Sequence, residues 1–305
     1  MRVYLGNEHI SQANIKLLNY INGIDMSKDT VKEETLVEGV TAHDKNGNYI
    51  TGTNPYELTK TNNIVNTQAD LIYQIKAALG LIREPKPVFS DNSWEDIIWA
   101  CQNNAVPDTW VADGTCSKTM SIGGTDYIID IIGKNHDTYT AGGIAPITFQ
   151  FRDCFETTYQ MHNSDTNSVG YSNSDMHTIH LPEIKSLMPS EVQSAIKSVD
   201  KLSGTGGGSS SVIETVSCDL FLLSEIEVFG SNSYSIAGEG SQYAWYSADN
   251  TKVKVLVGGS KKNWWERSPQ YSDTGSFCGV ISSGSGFASG YPASQLLGVA
   301  PAFCF

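Results

Sequence analysis

Cations are scarce in this chain: 20 Lys and Arg stand against 33 Asp and Glu, a formal charge of −13 over 305 residues. Phosphate backbones and anionic lipid surfaces are bound through clustered positive side chains, so nucleic acid is disfavoured as a partner. Charge of either sign is thin, at 17%, where soluble domains carry about 25%. No stretch approaches the ~18 uninterrupted apolar residues of a membrane span, so membrane insertion is not expected. The opening Met-Arg-Val-Tyr-Leu-Gly-Asn-Glu has one basic residue and no apolar core, which argues against a secretory signal peptide. Reaching the outside of a cell would then need lysis or a dedicated machine. Six cysteines (Cys101, Cys116, Cys154, Cys218, Cys278 and Cys304) occur without a CxxC pair. That spacing fits neither a zinc ribbon nor a dense disulfide framework, and predicts buried thiols.

What the chain does have is 28 Gly and 10% aromatic residues, the texture of a β- and turn-rich body. Its length suits two or three domains. Asn46-Gly47 separates two β-prone runs across 37–53, and this dipeptide tolerates positive φ at both central turn positions, which predicts a tight hairpin. An amphipathic helix is expected over 70–79, capped by Thr67 and closed by Gly80, with Leu71, Ile72, Ile75, Ala78 and Leu79 on one face. That stripe asks for another helix or a symmetry mate. Glu84-Pro85-Lys86-Pro87 reads as a stiff linker, and Ser93 opens a second helix over 94–102. The expected divisions are 1–55, 56–106 and 107–305, in an α+β chain.

From residue 107 the texture is strand-like. Gly123-Gly124 sits between two runs, the second alternating Tyr127, Ile129 and Ile131. Ile147, Phe149 and Phe151 mark another strand, and 220–224 and 253–257 read as buried strands. A helix over 190–199 follows Pro189. The Gly204–Ser211 run lacks a Gly-Lys-Ser/Thr ending and reads as a surface loop rather than a phosphate cradle.

Motifs that carry chemistry are weak. His177-x-x-His180, near Asp175 and Asp165, has metal-ligand spacing but no third ligand, so neither a metal nor another cofactor is expected. No Gly-x-Ser-x-Gly elbow occurs. Glu225 and Glu227 occupy alternate strand positions, a pattern that surface carboxylates also show. No enzyme signature stands out. What remains is 270–297, where Tyr271, Phe287 and Tyr291 are interspersed among Ser, Gly and Asp. Rigid aromatic anchors among small hydrogen-bonding residues are the composition of antigen-combining loops. Little in this stretch is expected to pack a core. The flanks, Trp264-Trp265 and Ala302-Phe303-Cys304-Phe305, are dense and apolar, so the loops would be held between core strands.

Trp264-Trp265-Glu266-Arg267-Ser268-Pro269, Phe277-Cys278-x-Val280 and Gly298-Val299-Ala300-Pro301-Ala302-Phe303-Cys304 resemble the C-terminal region of phage and prophage tail proteins with a C-type-lectin-like fold. Many of these are variable proteins of diversity-generating retroelements. Thr41–Thr53 looks like a hairpin motif common in tail fibres and tail tips. The resemblance implies a C-type-lectin-like domain at 107–305, an attachment region at 1–55 and a helical oligomerisation region at 56–106, with a homotrimer as the expected assembly. It implies a virion-tail protein, made in the bacterial cytoplasm, that is not an enzyme. Such a protein binds a bacterial surface protein or glycan and contacts other tail proteins. The adenine-directed mutagenesis of these systems is compatible with Tyr271, Asp273, Ser276, Gly279, Ile281, Phe287, Ser289, Tyr291 and Leu297, which form the expected ligand-binding set. Calcium-dependent sugar motifs are missing. Glu266 and Arg267 are assigned to a structural ion pair. The alternatives are a tail-borne glycan hydrolase using Glu225, Glu227 or Asp175, and a purely structural tail subunit.

Overall fold

The computed structural model describes residues 3–5, 8–10, 38, 41–43, 49–52, 65, 67, 68, 71, 72, 75, 83–208, 211–287 and 290–305. The chain forms two units, Met1–Ile82 and Arg83–Phe305. In the first, β1 (Val3–Leu5) pairs antiparallel with β2 (Glu8–Ile10), and β3 (Thr41–His43) with β4 (Tyr49–Thr51). Ala42 lies opposite Ile50 and His43 opposite Tyr49, one residue out of step with a two-residue Asn46-Gly47 turn, which would set Ala42 opposite Thr51; the turn itself lies outside the described residues. Val65, Thr67, Gln68, Leu71, Ile72 and Ile75 are helical. Thr67 is thus inside the helix and does not cap it. Gly80, Ala78 and Leu79 lie outside the described residues. Leu71, Ile72 and Ile75 are 42%, 51% and 49% exposed, so the described part of the apolar stripe faces solvent.

The second unit starts earlier than residue 107. Ser93 accepts the Asp96 N–H while the Asp96 carboxylate accepts the Ser93 N–H, a reciprocal cap for the helix Trp94–Gln102. Its Ile97, Ala100 and Cys101 are buried in the core of this unit. Phe89 and Trp94 join the same aromatic cluster: Phe89 meets Trp110 at 5.1 Å and Phe149 at 6.2 Å, and Trp94 meets Phe305 at 6.3 Å. Glu84-Pro85-Lys86-Pro87, read as a stiff linker, and the helix expected over 94–102, placed with the region 56–106, belong to this folded unit.

Its strands are β5 (Ser117–Ile122), β6 (Thr125–Lys134), β7 (Ile147–Phe151), β8 (Val199–Gly204), β9 (Ile213–Cys218), β10 (Leu220–Phe221), β11 (Lys254–Val255), β12 (Lys261–Lys262), β13 (Trp264–Pro269), β14 (Ser276–Val280), β15 (Tyr291–Pro292) and β16 (Ala302–Cys304). Gly123 and Gly124 both take positive φ, +58° and +89°, the requirement of the two-residue turn joining β5 to β6. A five-stranded antiparallel sheet runs β10-β16-β7-β6-β5, so the last strand is interior, with Phe303 opposite both Leu220 and Phe149. A second sheet runs β13-β14-β15, and β8 and β9 form a separate hairpin. With the helices, this is an α+β architecture. All six cysteines are free and buried. The run at 253–257 contributes only the two residues of β11, and the helix after Pro189 is confined to Ser190–Ala195.

Four of the buried ionisable side chains form one network between these elements. Glu227 is the third residue of the helix Glu225–Phe229, where it closes a reciprocal cap with Ser224. Glu225 and Glu227 are therefore helical, not alternate residues of a strand. Lys201 Nζ on β8 lies 2.6 Å from Asp137 Oδ1 and 2.6 Å from Glu227 Oε1. Arg267 Nη1 on β13 lies 2.5 Å from Glu227 Oε2. Arg267 also donates to the carbonyls of Leu202, Leu222 and Glu239, and Tyr243 Oη donates to Asp137. The partner of Arg267 is thus Glu227 and not its sequence neighbour Glu266, because successive strand residues point to opposite faces.

Buried charges are tolerated only when paired and hydrogen-bonded. Burial opposes the charge on Asp137, yet Lys201 beside it lowers its pKa to about 2. Burial likewise disfavours the charge on Lys201, but Glu227 and Asp137 keep its pKa above the ordinary value. Replacing Lys201 by Met should cost ~3–5 kcal/mol in urea unfolding, because Asp137 then loses its cation and Glu227 one of two. Asp137 contributes stability above its ordinary pKa of 3.8, and this is lost as pH falls toward about 2. Asp137→Asn should flatten that part of the acid limb in pH-dependent melting.

Candidate functional site

Two loops, each fixed from beneath by a buried side chain, meet at one face of the second unit. The first follows β13. Asn167, fully buried, donates from Nδ2 to the carbonyls of Gln270, Asp273 and Ser276 at 3.1, 2.7 and 2.8 Å. Its Oδ1 accepts the Gly207 N–H at 2.9 Å. The glycine-rich segment comes in close: Gly206 has φ +71°, and a Cβ there would lie 1.8 Å from the Asn167 carbonyl oxygen. The second loop follows the helix Glu225–Phe229. The buried Glu225 carboxylate accepts the Tyr234 N–H at 3.0 Å and the Ser235 N–H at 2.7 Å. Tyr271 N–H then donates to the Tyr234 carbonyl at 2.9 Å and joins the two loops.

Between them lies a groove of about 410 Å³ lined by Ser211, Asn232, Ser233, Tyr234, Ala237, Tyr271 and Ser272, with Ser235, Ile236 and Gln270 among its more buried residues. Among the described residues, no Lys, Arg, Asp or Glu lines it. Nearby, the exposed Phe287 stacks on Tyr291 at 4.6 Å, and Tyr291 meets Trp265 edge-on at 5.9 Å. That series of rings connects the tryptophan motif to the surface.

The nine sequence-derived positions separate. Tyr271 and Phe287 are exposed, at 44% and 36%. Asp273 is half-buried and its carboxylate accepts the Gly275 N–H at 2.9 Å. Ile281 is half-buried against the core. Ser289 lies outside the described residues. Ser276, Gly279, Tyr291 and Leu297 are buried, which removes them from the contact surface. The reason is that 270–297 is not free of core: it supplies β14 and β15, and Phe277, Val280 and Ala293 belong to the core cluster. Gly279 is packed so tightly that a Cβ would meet the Trp264 carbonyl oxygen at 2.8 Å and the Tyr291 ring at 2.9 Å. Leu297 exchanges backbone hydrogen bonds with Tyr159.

The second wall of the groove was missed by sequence reasoning. Ser231-Asn232-Ser233-Tyr234-Ser235 has the same aromatic-and-small composition as 270–297, and the capping pattern Ser224-x-x-Glu227 is a helix-start signal just before it.

The other candidate chemistry is not assembled into a centre. His177 lies against Tyr171 at 5.2 Å and His180 against Tyr159 at 4.7 Å. Asp175 is 3.0 Å from His162. Glu225 and Glu227, named for the hydrolase alternative, are buried and occupied by backbone N–H groups and by Arg267 and Lys201. Burial pushes the Cys278 thiol well above its ordinary pKa, which makes it a poor nucleophile. Among the described residues, His136, Asp137 and Glu227 come within 4.8 Å of one another as cation ligands would. The Lys201 ammonium already contacts both of those carboxylates.

The family described as Domain of unknown function (DUF6273) matches residues 147–305, just over half of the chain. The chain belongs to the DUF6273 family. No curated protein and no solved structure matches it. The DUF6273 region begins at β7 and contains both loops of the groove, Lys201, Glu227 and Arg267. Asp137, β5 and β6 precede it, so the matched region leaves out part of the five-stranded sheet and one member of the charge network.

Packing and surface roles predict opposite outcomes. Tyr271→Ala and Phe287→Ala should leave the melting temperature within error, as surface substitutions usually change stability by less than about 0.5 kcal/mol. Gly279→Ala should cost ~1–3 kcal/mol through overpacking in the same thermal unfolding assay.

Proposed function

We propose that the chain is a receptor-binding protein of a phage or prophage tail, an adhesin rather than an enzyme, whose second unit is a C-type-lectin-like domain. The observation that carries this reading is the uncharged groove with two tyrosines, bounded by loops that Glu225 and Asn167 hold in place. Recognition favours such an arrangement, because aromatic anchors on rigid supports lose little conformational freedom on binding. The mixed α+β architecture, with a five-stranded and a three-stranded antiparallel sheet, is compatible with the lectin-like fold.

The proposed contact set is narrower than the one read from sequence. It keeps Tyr271, Asp273 and Phe287 and adds Asn232, Ser233, Tyr234 and the exposed Leu296. If the surface is diversified by a retroelement, sibling genomes will concentrate their substitutions at these exposed positions and spare Gly279 and Leu297. The exposed stripe Leu71, Ile72 and Ile75 is the proposed site of trimer formation, which would multiply weak single-site affinity. Sedimentation should find an oligomer for the native chain and a monomer for Ile72→Asp/Ile75→Asp.

The deciding experiment is adsorption to the host bacterium. Tyr271→Ala/Phe287→Ala should reduce adsorption at least tenfold while the melting temperature is unchanged. Undiminished adsorption by this folded variant would overturn the receptor-binding reading.

A further inference from the structure

We propose that the groove between 232–236 and 270–272 accepts a neutral saccharide, one or two sugar rings long. The inference rests on the receptor-binding reading and adds the chemical class of the ligand.

The lining carries the argument. Ser211, Asn232, Ser233, Tyr234, Tyr271 and Ser272 offer hydroxyl and amide groups that both donate and accept hydrogen bonds, as sugar hydroxyls do. Two tyrosines add amphipathic rings, with apolar faces for the C–H side of a pyranose and hydroxyls for its polar edge. With no charged side chain among the described lining residues, the groove provides no ion pair for a phosphate, a uronate or a cationic ligand. The net charge of −13 further disfavours an anionic glycan at long range. A volume of about 410 Å³ lies in the lower part of the range for small-ligand sites, ~300–1,000 Å³. A protein epitope typically takes about 800 Å² of matching surface from each partner, and a small concave groove suits a sugar better. The site is also built before ligand arrives: Glu225 fixes Tyr234 and Ser235, and Tyr271 N–H ties one wall to the other.

The test uses the intact chain on a printed array of neutral and acidic bacterial oligosaccharides, with Tyr271→Ala and Asn232→Ala as variants. Neutral oligosaccharides should bind, acidic ones should not, and each variant should weaken binding at least tenfold without a change in melting temperature. Binding confined to acidic oligosaccharides, or binding indifferent to both variants, overturns the inference. A second arm measures adsorption to host cells treated with periodate or with protease. Loss of Tyr271-dependent adsorption after periodate supports a saccharide, including one missing from the array. Tyr271-dependent adsorption that survives periodate but not protease overturns the saccharide and leaves the receptor-binding reading standing. Adsorption independent of both Tyr271 and Phe287 overturns both.

Discussion

Glu227 accepts two buried cations at once, Lys201 from β8 and Arg267 from β13, and the second unit is organised around that double pairing. A carboxylate enclosed without partners would protonate or admit water. Here it meets an ammonium and a guanidinium, and the guanidinium also donates to three backbone carbonyls from separate segments. A helix start, a hairpin strand and a strand of the second sheet are thereby fixed by directional bonds rather than by apolar contact alone. Asp137 brings the sum to two positive and two negative charges. Neutrality and satisfied geometry are the two conditions under which such a cluster specifies one arrangement of the chain.

The groove inherits its geometry from this arrangement through short links. Glu225 lies two residues before Glu227 on the same helix, and its carboxylate holds the N–H groups of Tyr234 and Ser235. Gln270 and Tyr271 follow Arg267 by three and four residues at the end of β13, and Asn167 holds the carbonyls beyond them. Each wall is therefore a continuation of an element that the charge network anchors. The side chains facing the groove, by contrast, carry no part of that network. The residues that support the groove and those that line it are different, so a substitution in the lining leaves the support in place.

Local features were legible in the sequence where one interaction decides them. The Gly123-Gly124 hairpin follows from positive-φ tolerance, and the Ile147–Phe151 strand from apolar alternation. Pairings across the chain were not legible. Adjacency suggested Glu266 for Arg267, whereas the partner lies forty positions upstream on a helix that alternation alone had presented as a strand. The same limit applies to 270–297: its Ser, Gly and Tyr content resembles a displayed loop, yet β14 is buried along its whole length because β13 and β15 flank it. Composition identifies residue types suited to contact, but only the sheet decides which of them reach solvent.

The position of the last strand limits which substitutions the fold tolerates. β16 is inserted between β10 and β7, so the five-stranded sheet closes only when the final residues pair with segments about eighty and one hundred and fifty positions earlier. Closure over such distances costs chain entropy before it returns any stabilisation. A substitution in β14 or at Gly298, where a Cβ would lie 2.5 Å from Cys154 Sγ, disturbs the packing on which that closure depends. Substitutions at Tyr271, Phe287 or Leu296 do not, since these side chains are exposed. Sequence change and folding are thus compatible at the rim of the second sheet, and the exposed aromatic residues lie at that rim.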